Sequence, residues 1–420
     1  MDLRIIIIQV LNNYKKVWGC GRETCRSFGI NEVSEMDEIS EIMENNLSKK
    51  ILSAALVLFL LGCGIQYFIK PKSVSCEKQI FAMNTIMTFE AHGRKAEEAV
   101  NAVIEEMNRL DALLSTGNEM SEISGVNRNG EGEISEDTEK ILVRALDIYE
   151  QTEGAFDCTI YPLMKLWGFD TKEYHVPTEE ELKKTLVLVD SSQVRIVDMY
   201  EVLETDDEAE EKAEEIDEDV SEESEEELQI AKEWRQVILG GNQEIDLGGI
   251  AKGYASDRAI EIFEAYGIES GIVSLGGNVK TLNKNAEGDS WKIGIRDPEG
   301  ENSDVLAVVE VENQAVVTSG GYERYFEENG ETYIHIIDPA TGYPAENGLV
   351  SVTIISEEGM LADALSTALY IMGEEKAVEY WQKSEENFEF VLVADDGEIL
   401  VTEGLVENMN IQKEYSVVKR

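Results

Sequence analysis

The stretch "WKIGIRDPEGENSDVLAVVEVENQAVVTSG", residues 291–320, decides the fold class. It contains the short apolar runs "WKIGIRDP", "VLAVVEVEN" and "QAVVTSG", each ending in or followed by turn-forming residues. Short runs rich in valine and isoleucine between turn formers are typical of strands. Their close spacing leaves no room for crossover helices, which parallel strands need. We therefore predict that these strands follow one another as antiparallel hairpins.

The rest of the chain mixes long helices with more strands of this kind. Apolar residues at helical spacing predict helices at 95–114, 136–150, 252–266, 360–372 and 375–383. Further strands are predicted in "IFAMNTIMTFEAHG" (80–93), "LVLVDSSQVRIVD" (186–198), "EWRQVILGGNQEIDLGG" (233–249), "GIVSLGGNVKTLN" (271–283), "ETYIHIID" (331–338) and "LVSVTIIS" (349–356). Strands outnumber helices and many are consecutive, so the predicted fold class is α+β.

The charge of the chain is strongly negative and unevenly distributed. The formal net charge is −50, which argues against a nucleic-acid partner because phosphates would be repelled. Between Glu204 and Glu227 there are sixteen acidic residues and one lysine, with no apolar period. Such a segment cannot bury surface, so we interpret residues 201–230 as a disordered acidic insertion between two neighbouring strands.

The segment "NLSKKILSAALVLFLLGCG", residues 46–64, predicts export and lipid attachment. Two lysines precede an apolar run from Ile51 to Leu61, which is short for a membrane span. "LLGC" is similar to a bacterial lipobox, in which Cys63 would be lipidated and anchor the protein. An uncleaved signal anchor is the alternative. Because Met43 opens a stretch of normal signal proportions, we expect translation to start there, which leaves residues 1–42 without a role.

Three glycine-rich turns follow apolar strands and are candidates for binding an anionic ligand. In "IDLGGIAKGYASDRA" (245–259), paired glycines and Lys252 lie where a helix is predicted to begin, an arrangement that favours phosphate. The turns "LGGN" (275–278) and "TSGGYERYF" (318–326) are similar, and Thr318 and Ser319 add hydroxyl groups. Tight strand–helix and hairpin turns also need glycine, so both interpretations stay open.

The helix "ADALSTALYIMG" (362–373) carries a candidate metal site. Asp363 and Thr367 are four residues apart, so they lie on one helix face. A carboxylate and a hydroxyl group suit Mg²⁺, which prefers oxygen ligands and binds phosphate oxygens. The alternative is that Asp363 caps the helix and Thr367 bonds a main-chain carbonyl.

Two further segments combine reactive groups with rigid or aromatic surroundings. "HIIDPATGYP" (335–344) places His335 beside Asp338 in a turn stiffened by prolines and Gly342, which either presents a reactive imidazole or only caps a turn. "GAFDCTIYPLMKLWGF" (154–169) joins Asp157 and Thr159 to several aromatic residues, as a platform for a flat ring or as core.

Together these motifs, in this order, resemble the ApbE family of FAD:protein FMN transferases. The resemblance covers residues 79–385 and includes "MNT" (83–85) and "LLSTGNEMSEISGVN" (113–127). It implies a T-fold-like α+β architecture. It also implies Mg²⁺-dependent transfer of FMN from FAD to a threonine or serine hydroxyl of an acceptor protein, with release of AMP. Gly117 and Asn118 depart from the family, in which many members carry an aromatic and a basic residue there.

The resemblance also implies the role of individual residues. His335 would be the base that takes the proton from the acceptor hydroxyl. Mg²⁺ would be held by Asp363, Thr367 and the main-chain carbonyl of Gly249. The residues expected to contact FAD are Met83, Ala155, Phe156, Asp157, Asp246, Lys252 and, through its main chain, Ile337.

These inferences define the expected organisation and partners. Residues 1–62 are predicted to be an N-terminal extension with a signal sequence, 63–78 a lipidated tether, and 79–412 the transferase domain. The expected location is the extracytoplasmic face of the cell membrane. The expected acceptors are flavin-bearing subunits of NADH:quinone or ferredoxin:NAD oxidoreductases. An FAD pyrophosphatase that yields FMN and AMP, or a non-catalytic flavin-binding lipoprotein, are the alternative functions.

Overall fold

The structure is a computed structural model that describes residues 74–202, 230–300 and 304–420. The predicted signal sequence, Cys63 and most of the predicted acidic insertion lie outside these residues, and the domain boundaries stay a prediction. Within the described part, no helix combines the length and apolar character that a membrane span requires.

The described residues form one large sheet, three small sheets and eight α-helices, which confirms the predicted α+β class. The large sheet has the spatial order β1 (Ser75–Ala82), β2 (Thr85–His92), β6 (Ser270–Leu275), β7 (Asn278–Leu282), β10 (Ala315–Gly320), β13 (Leu349–Ser356), β14 (Phe388–Ala394), β15 (Ile399–Thr402) and β17 (Ser416–Val418). Its neighbours pair antiparallel except β15 and β17.

The small sheets are β3 (Glu131–Ile134), β5 (Ile230–Ile238) and β4 (Arg195–Val202); β16 (Met409–Ile411), β9 (Val305–Val311) and β8 (Trp291–Arg296); and β11 (Tyr325–Glu328) with β12 (Glu331–Ile334). The helices are α1 (Ala96–Leu114), α2 (Glu122–Asn129), α3 (Glu136–Gln151), α4 (Tyr161–Trp167), α5 (Glu179–Leu186), α6 (Ala251–Tyr266), α7 (Gly359–Met372) and α8 (Glu374–Lys383).

The central strands of the large sheet are buried on both faces. In β10, Ala315 and Val317 face the core that α1, α6 and α7 cover, whereas Val316 faces a second core beneath β8 and β9. This alternation follows from the two-residue period of a strand. The sheet therefore acts as a rigid base on which α6 and α7, the helices of two predicted motifs, lie side by side.

Several sequence predictions of local structure were wrong. "IFAMNTIMTFEAHG" is a hairpin rather than one strand, because Met83 and Asn84 adopt positive φ angles of 47° and 59° in a tight turn. Only the end of "LVLVDSSQVRIVD" is a strand: α5 ends at Leu186, a 3₁₀ turn covers Ser191–Gln193, β4 begins only at Arg195, and β5 ends at Ile238. The short helices α2, α4 and α5 were missed.

The strands that flank the acidic run are neighbours, as predicted. β4 and β5 pair antiparallel along their whole length, from Arg195 opposite Ile238 to Val202 opposite Ile230. The run from residue 203 to residue 229 thus connects two adjacent strand ends.

Candidate active site

The predicted metal residues lie where α6 and α7 pack closely against each other. An added Cβ at Gly253 would be 2.2 Å from the carbonyl oxygen of Gly359, so only glycine permits this approach. Asp363 is 3% exposed, and its Oδ2 accepts a hydrogen bond of 2.8 Å from the main-chain N–H of Gly253. The carboxylate of α7 is therefore oriented by the first turn of α6.

Thr367 and Gly249 lie together in the same region. Thr367 Oγ1 is 4.0 Å from the position that a Cβ on Gly249 would occupy. It is also 3.4 Å from Ser319 Oγ, a long contact that leaves the hydroxyl group available. The structure thus places Gly249 beside Thr367, one helical turn from Asp363, as the metal hypothesis requires.

The chemistry of these donors fits Mg²⁺. The buried Asp363 carboxylate has one short hydrogen bond and a 3.5 Å contact with Lys252, although a carboxylate can accept about four hydrogen bonds. Among the described residues, no cluster of three or more His, Cys, Asp or Glu side chains could hold a metal ion. Mg²⁺ prefers a few hard oxygen donors of this kind, and keeps several waters or phosphate oxygens as its other ligands.

Lys252 connects this region with the His335 loop. Its Nζ lies 3.5 Å from Asp363 Oδ1, and its side chain is 26% exposed. Its positive charge also contributes to lowering the pKa of His335, and it opposes the rise that burial causes in the pKa of Asp246. One cation therefore acts on the predicted metal carboxylate, the predicted base and a predicted FAD contact.

His335 is held in a defined tautomer by a main-chain carbonyl. Its main-chain N–H and its Nδ1 both donate to the oxygen of Arg324, at 3.0 and 3.1 Å. Because a carbonyl only accepts, Nδ1 carries the hydrogen and Nε2 is left to accept a proton. Desolvation of the half-buried ring, followed by the charges of Arg324 and Lys252, lowers the pKa of His335 to about 3.

The turn after His335 is rigid, and Asp338 is its centre. Asp338 Oδ1 accepts from the N–H of Ala340 at 2.8 Å, and Oδ2 accepts from Thr341 Oγ1 at 3.2 Å. Gly342, at φ 75°, donates its N–H to the Asp338 carbonyl, and its own carbonyl accepts from Trp167 Nε1 at 2.8 Å. Asp338 therefore caps the turn and fixes the loop that begins at His335.

Ile337 and the aromatic segment serve mainly as packing. The Ile337 side chain is buried in a cluster with Trp167 and Phe169, so only its main chain is available to a ligand. Trp167 is fully buried and Phe169 is 6% exposed, which favours the core interpretation of "LMKLWGF" over an aromatic platform.

The segment 155–157 approaches the site through Phe156. Phe156 Cε2 lies 3.1 Å from the position of a Cβ on Gly249, which brings the segment against the glycine turn before α6. The Asp157 carboxylate instead accepts hydrogen bonds from Thr159 and Ser191, including 2.6 Å contacts with both hydroxyl groups. Ala155 is half-buried beside them and lines a cavity of about 910 Å³ that also borders Asp338.

The remaining predicted FAD contacts lie on turns of the same sheet and of α6. Met83 lies in the β1–β2 turn. Thr85, which follows this turn, packs closely on Gly276 of "LGGN", because a Cβ on Gly276 would lie 1.9 Å from Thr85 Oγ1. Asp246 precedes α6 and accepts from the N–H of Gly248 at 2.8 Å, and burial raises its pKa.

Three residues near the site were not singled out from the sequence. Arg324 orients His335 through its carbonyl, and its charge acts on Asp246 and His335. Desolvation raises the pKa of Glu323. Ser366 bonds Ser319 at 2.7 Å and so links α7 to β10. All three residues lie inside the motifs "TSGGYERYF" and "ADALSTAL", and this position was the sequence signal that could have identified them.

A family model, a relative and two solved structures each match most of this chain. The model of the ApbE family matches residues 83–392. The FAD:protein FMN transferase of Haemophilus influenzae is 32% identical over 332 residues, which is 77% of this chain and 86% of that protein. The crystal structure of the ApbE protein of Thermotoga maritima superposes with a TM-score of 0.65 at 31% identity, covering 80% of this chain and 99% of that one. The apo flavinyl transferase ApbE of Pseudomonas stutzeri shares the fold, with a TM-score of 0.63 at 24% identity over 80% of this chain and 97% of that one.

Proposed function

Since the chain belongs to the ApbE family, we infer that it is an FAD:protein FMN transferase, an enzyme that moves FMN from FAD to an acceptor protein. The single observation that carries the assignment to particular residues is the position of Lys252. It contacts Asp363 of α7, and its charge contributes to lowering the pKa of His335, which supports the assignment of the two motifs to one site. A diphosphate between them would meet a cation on one side and a base on the other.

We propose that the acceptor group is a threonine or serine hydroxyl and that AMP is the leaving group. The hydroxyl oxygen forms a bond to the phosphorus on the flavin side of the diphosphate, and the bond from this phosphorus to the bridging oxygen breaks. The hydroxyl proton passes to His335 Nε2, and AMP leaves with the bridging oxygen. Phosphoryl-type transfer of this kind depends mainly on positioning and charge neutralisation, which the site is equipped to provide.

The residues proposed to hold Mg²⁺ are Asp363, Thr367 and the Gly249 carbonyl. Bound there, the ion would neutralise negative charge on the diphosphate. Two further residues would support this site: Lys252 adds a second positive charge, and the main-chain N–H of Gly253 orients the Asp363 carboxylate. Met83, Phe156, Asp246 and the main chain around Ala155, Asp157 and Ile337 are the proposed FAD contacts.

The low pKa of His335 is compatible with its proposed role. A pKa of about 3 keeps the imidazole neutral before the substrate binds, and therefore able to accept a proton. The cations Arg324 and Lys252 contribute to this low value. The negative diphosphate opposes their charge, so its binding should raise the pKa of His335 towards the range of an effective base.

We also propose that the enzyme is lipid-anchored through Cys63 on the extracytoplasmic face of the cell membrane. The support is the sequence "LLGC" after an apolar run that follows two lysines. The proposed acceptors are flavin-bearing subunits of membrane redox complexes of the NADH:quinone and ferredoxin:NAD oxidoreductase types, because they would be reachable from such an anchor.

Incubation of the purified protein with FAD, MgCl₂ and a candidate acceptor tests this function. We expect the acceptor to gain the mass of FMN and one AMP to appear for each flavin attached, as measured by mass spectrometry and chromatography. Free FMN and AMP without labelling would identify a pyrophosphatase instead. Unchanged FAD that stays bound would identify a binding protein.

The variant His335→Ala tests the proposed base. We expect it to bind FAD as the wild type does but to lose transfer by about 10²–10⁴-fold, the usual contribution of a general base. His175→Ala is the matched control, because His175 is exposed and pairs with Glu181 on the α5 surface. Normal transfer by His335→Ala would remove this residue from the mechanism.

A further inference from the structure

The pairing of α6 and α7 contains a second aspartate that mirrors Asp363. Asp363 of α7 accepts from the N–H of Gly253 on α6, and Asp257 of α6 accepts from the N–H of Gly359 on α7, both at 2.8 Å. Asp257 is one turn after Gly253, and Asp363 is one turn after Gly359. The two helices are thus locked by a reciprocal pair of hydrogen bonds one helical turn apart.

Asp257 supplies the N-terminal cap that α7 lacks in its own sequence. The N-cap residue of α7, Glu358, makes no side-chain capping bond, and the first turn contains no acidic residue. Instead, Asp257 Oδ1 accepts from Gly359 and Oδ2 accepts from Met360 at 3.1 Å. The first N–H groups of a helix have no partner within the helix, so this cap fixes where α7 begins.

A buried lysine compensates the charge of Asp257. Lys280 on β7 is 8% exposed, forms an ion pair with Asp257, and donates to the Glu357 carbonyl at 2.9 Å. It therefore holds both the capping carboxylate and the carbonyl group two residues before α7. Removing one partner of a buried pair leaves an uncompensated charge, so the two residues act as a unit.

We propose that Asp257 and Lys280 are positioning residues of the transferase, which set the start of α7 and thereby aim Asp363 and Thr367 at the metal and the diphosphate. Neither residue belongs to the proposed metal or FAD contacts. The inference rests on the proposed Mg²⁺ site. It adds that the affinity of this site is controlled from the opposite end of the α6–α7 contact.

The test compares two variants in a Lys280→Met background, which removes the unpaired ammonium group. Asp257→Asn keeps a carbonyl oxygen that can accept from Gly359, whereas Asp257→Ala removes the acceptor. Binding of MgCl₂ to the FAD-loaded full-length protein is measured by calorimetry, and FAD binding is measured separately without metal. Asp363→Ala is the control for loss of the metal site.

We expect Asp257→Ala to have a Kd for Mg²⁺ about tenfold or more above that of Asp257→Asn in the same Lys280→Met background, as loss of a residue that orients a metal ligand does. FAD binding without metal should change less than about twofold in both. Equal Mg²⁺ affinity in the two folded variants would overturn the proposal, even if Asp257→Ala melts earlier.

If Asp257→Ala does not fold, Asp257→Glu in the wild-type background replaces it. This variant keeps the charge opposite Lys280 but inserts one methylene between α6 and the start of α7. We expect a raised Kd for Mg²⁺, and an unchanged Kd would overturn the proposal. Absence of Mg²⁺ binding by the wild type would instead refute the metal site of the proposed function, so the two failures are distinguishable.

Discussion

The replacement of Gly253 by alanine tests how closely the reaction depends on the contact between α6 and α7. The added Cβ would lie 2.2 Å from the Gly359 carbonyl oxygen and 2.8 Å from Asp363 Cβ, whereas ordinary contacts begin at 3.4 Å. Both neighbours belong to α7, and the carbonyl is main chain that no rotamer change can move. The helices must therefore separate by about 1 Å at this point.

Two effects of different size follow from this displacement. Overpacking of a tight core contact costs about 1–3 kcal/mol of unfolding free energy. The same shift moves Asp363 relative to Gly253 and the diphosphate, and a misplacement of about 1 Å can lower a reaction rate by about 10²-fold. We therefore expect a moderately destabilised enzyme with a severe loss of transfer.

The assay is the rate of covalent flavin attachment at saturating FAD, with the melting temperature measured in parallel. We expect a drop of about 10–100-fold in rate for Gly253→Ala. Gly241→Ala is the matched control, because a Cβ there meets no atom within 4 Å and its φ is not positive. A folded Gly253→Ala enzyme with a rate within about threefold of the wild type would refute the reasoning.

Of four further predictions, two concern the base, one the metal and one the loop. In the free protein, His335 should stay neutral from pH 8 to pH 5, because its pKa is about 3, and binding of FAD should raise this pKa. NMR of the imidazole measures both. An imidazole that titrates near pH 6.5 without FAD would contradict this prediction. The imidazole of the unfolded chain titrates near pH 6.5, so the unfolding free energy that His335 contributes is present above pH 6.5 and is lost as the pH falls towards 3. The control is His335→Asn. If the wild type loses no more stability over this pH range than His335→Asn does, the low pKa of His335 is contradicted. Thr367→Val should raise the Mg²⁺ concentration needed for half-maximal transfer by about tenfold or more, whereas Thr332→Val on exposed β12 should not. Trp167→Phe should cost about 1–3 kcal/mol in denaturant unfolding, because it leaves the buried Gly342 carbonyl unpaired; an unchanged unfolding midpoint would contradict the role of this bond.

The long elements of the fold could be predicted from the sequence because their apolar residues recur strongly. The helix predicted at 360–372 differs from α7 by one residue, and the strand at 349–356 matches β13. The short helix α5 was missed although Thr178 and Glu181 form a capping box, which is a recognisable start signal. The Met83–Asn84 turn was missed because methionine rarely adopts positive φ.

From residue spacing, proximity within the candidate site could be predicted only for residues that share one element. Asp363 and Thr367 are four residues apart on α7, so their common face was visible in the sequence. The orientation of His335 by the Arg324 carbonyl was not, because a main-chain acceptor leaves no trace in residue type. The reciprocal bonds of Asp257 and Asp363 depend on two helices separated by about a hundred residues, which only the folded structure brings together.

The central claim is that α7 and the loop at His335 act on one and the same FAD diphosphate. A crystal structure of the wild-type enzyme with FAD and MgCl₂, but without acceptor, measures this directly. We predict that the metal held by Asp363 contacts the diphosphate and that His335 Nε2 faces the phosphorus on its flavin side. A diphosphate that contacts α7 but lies too far from His335 for a hydroxyl group to bridge them would contradict the account.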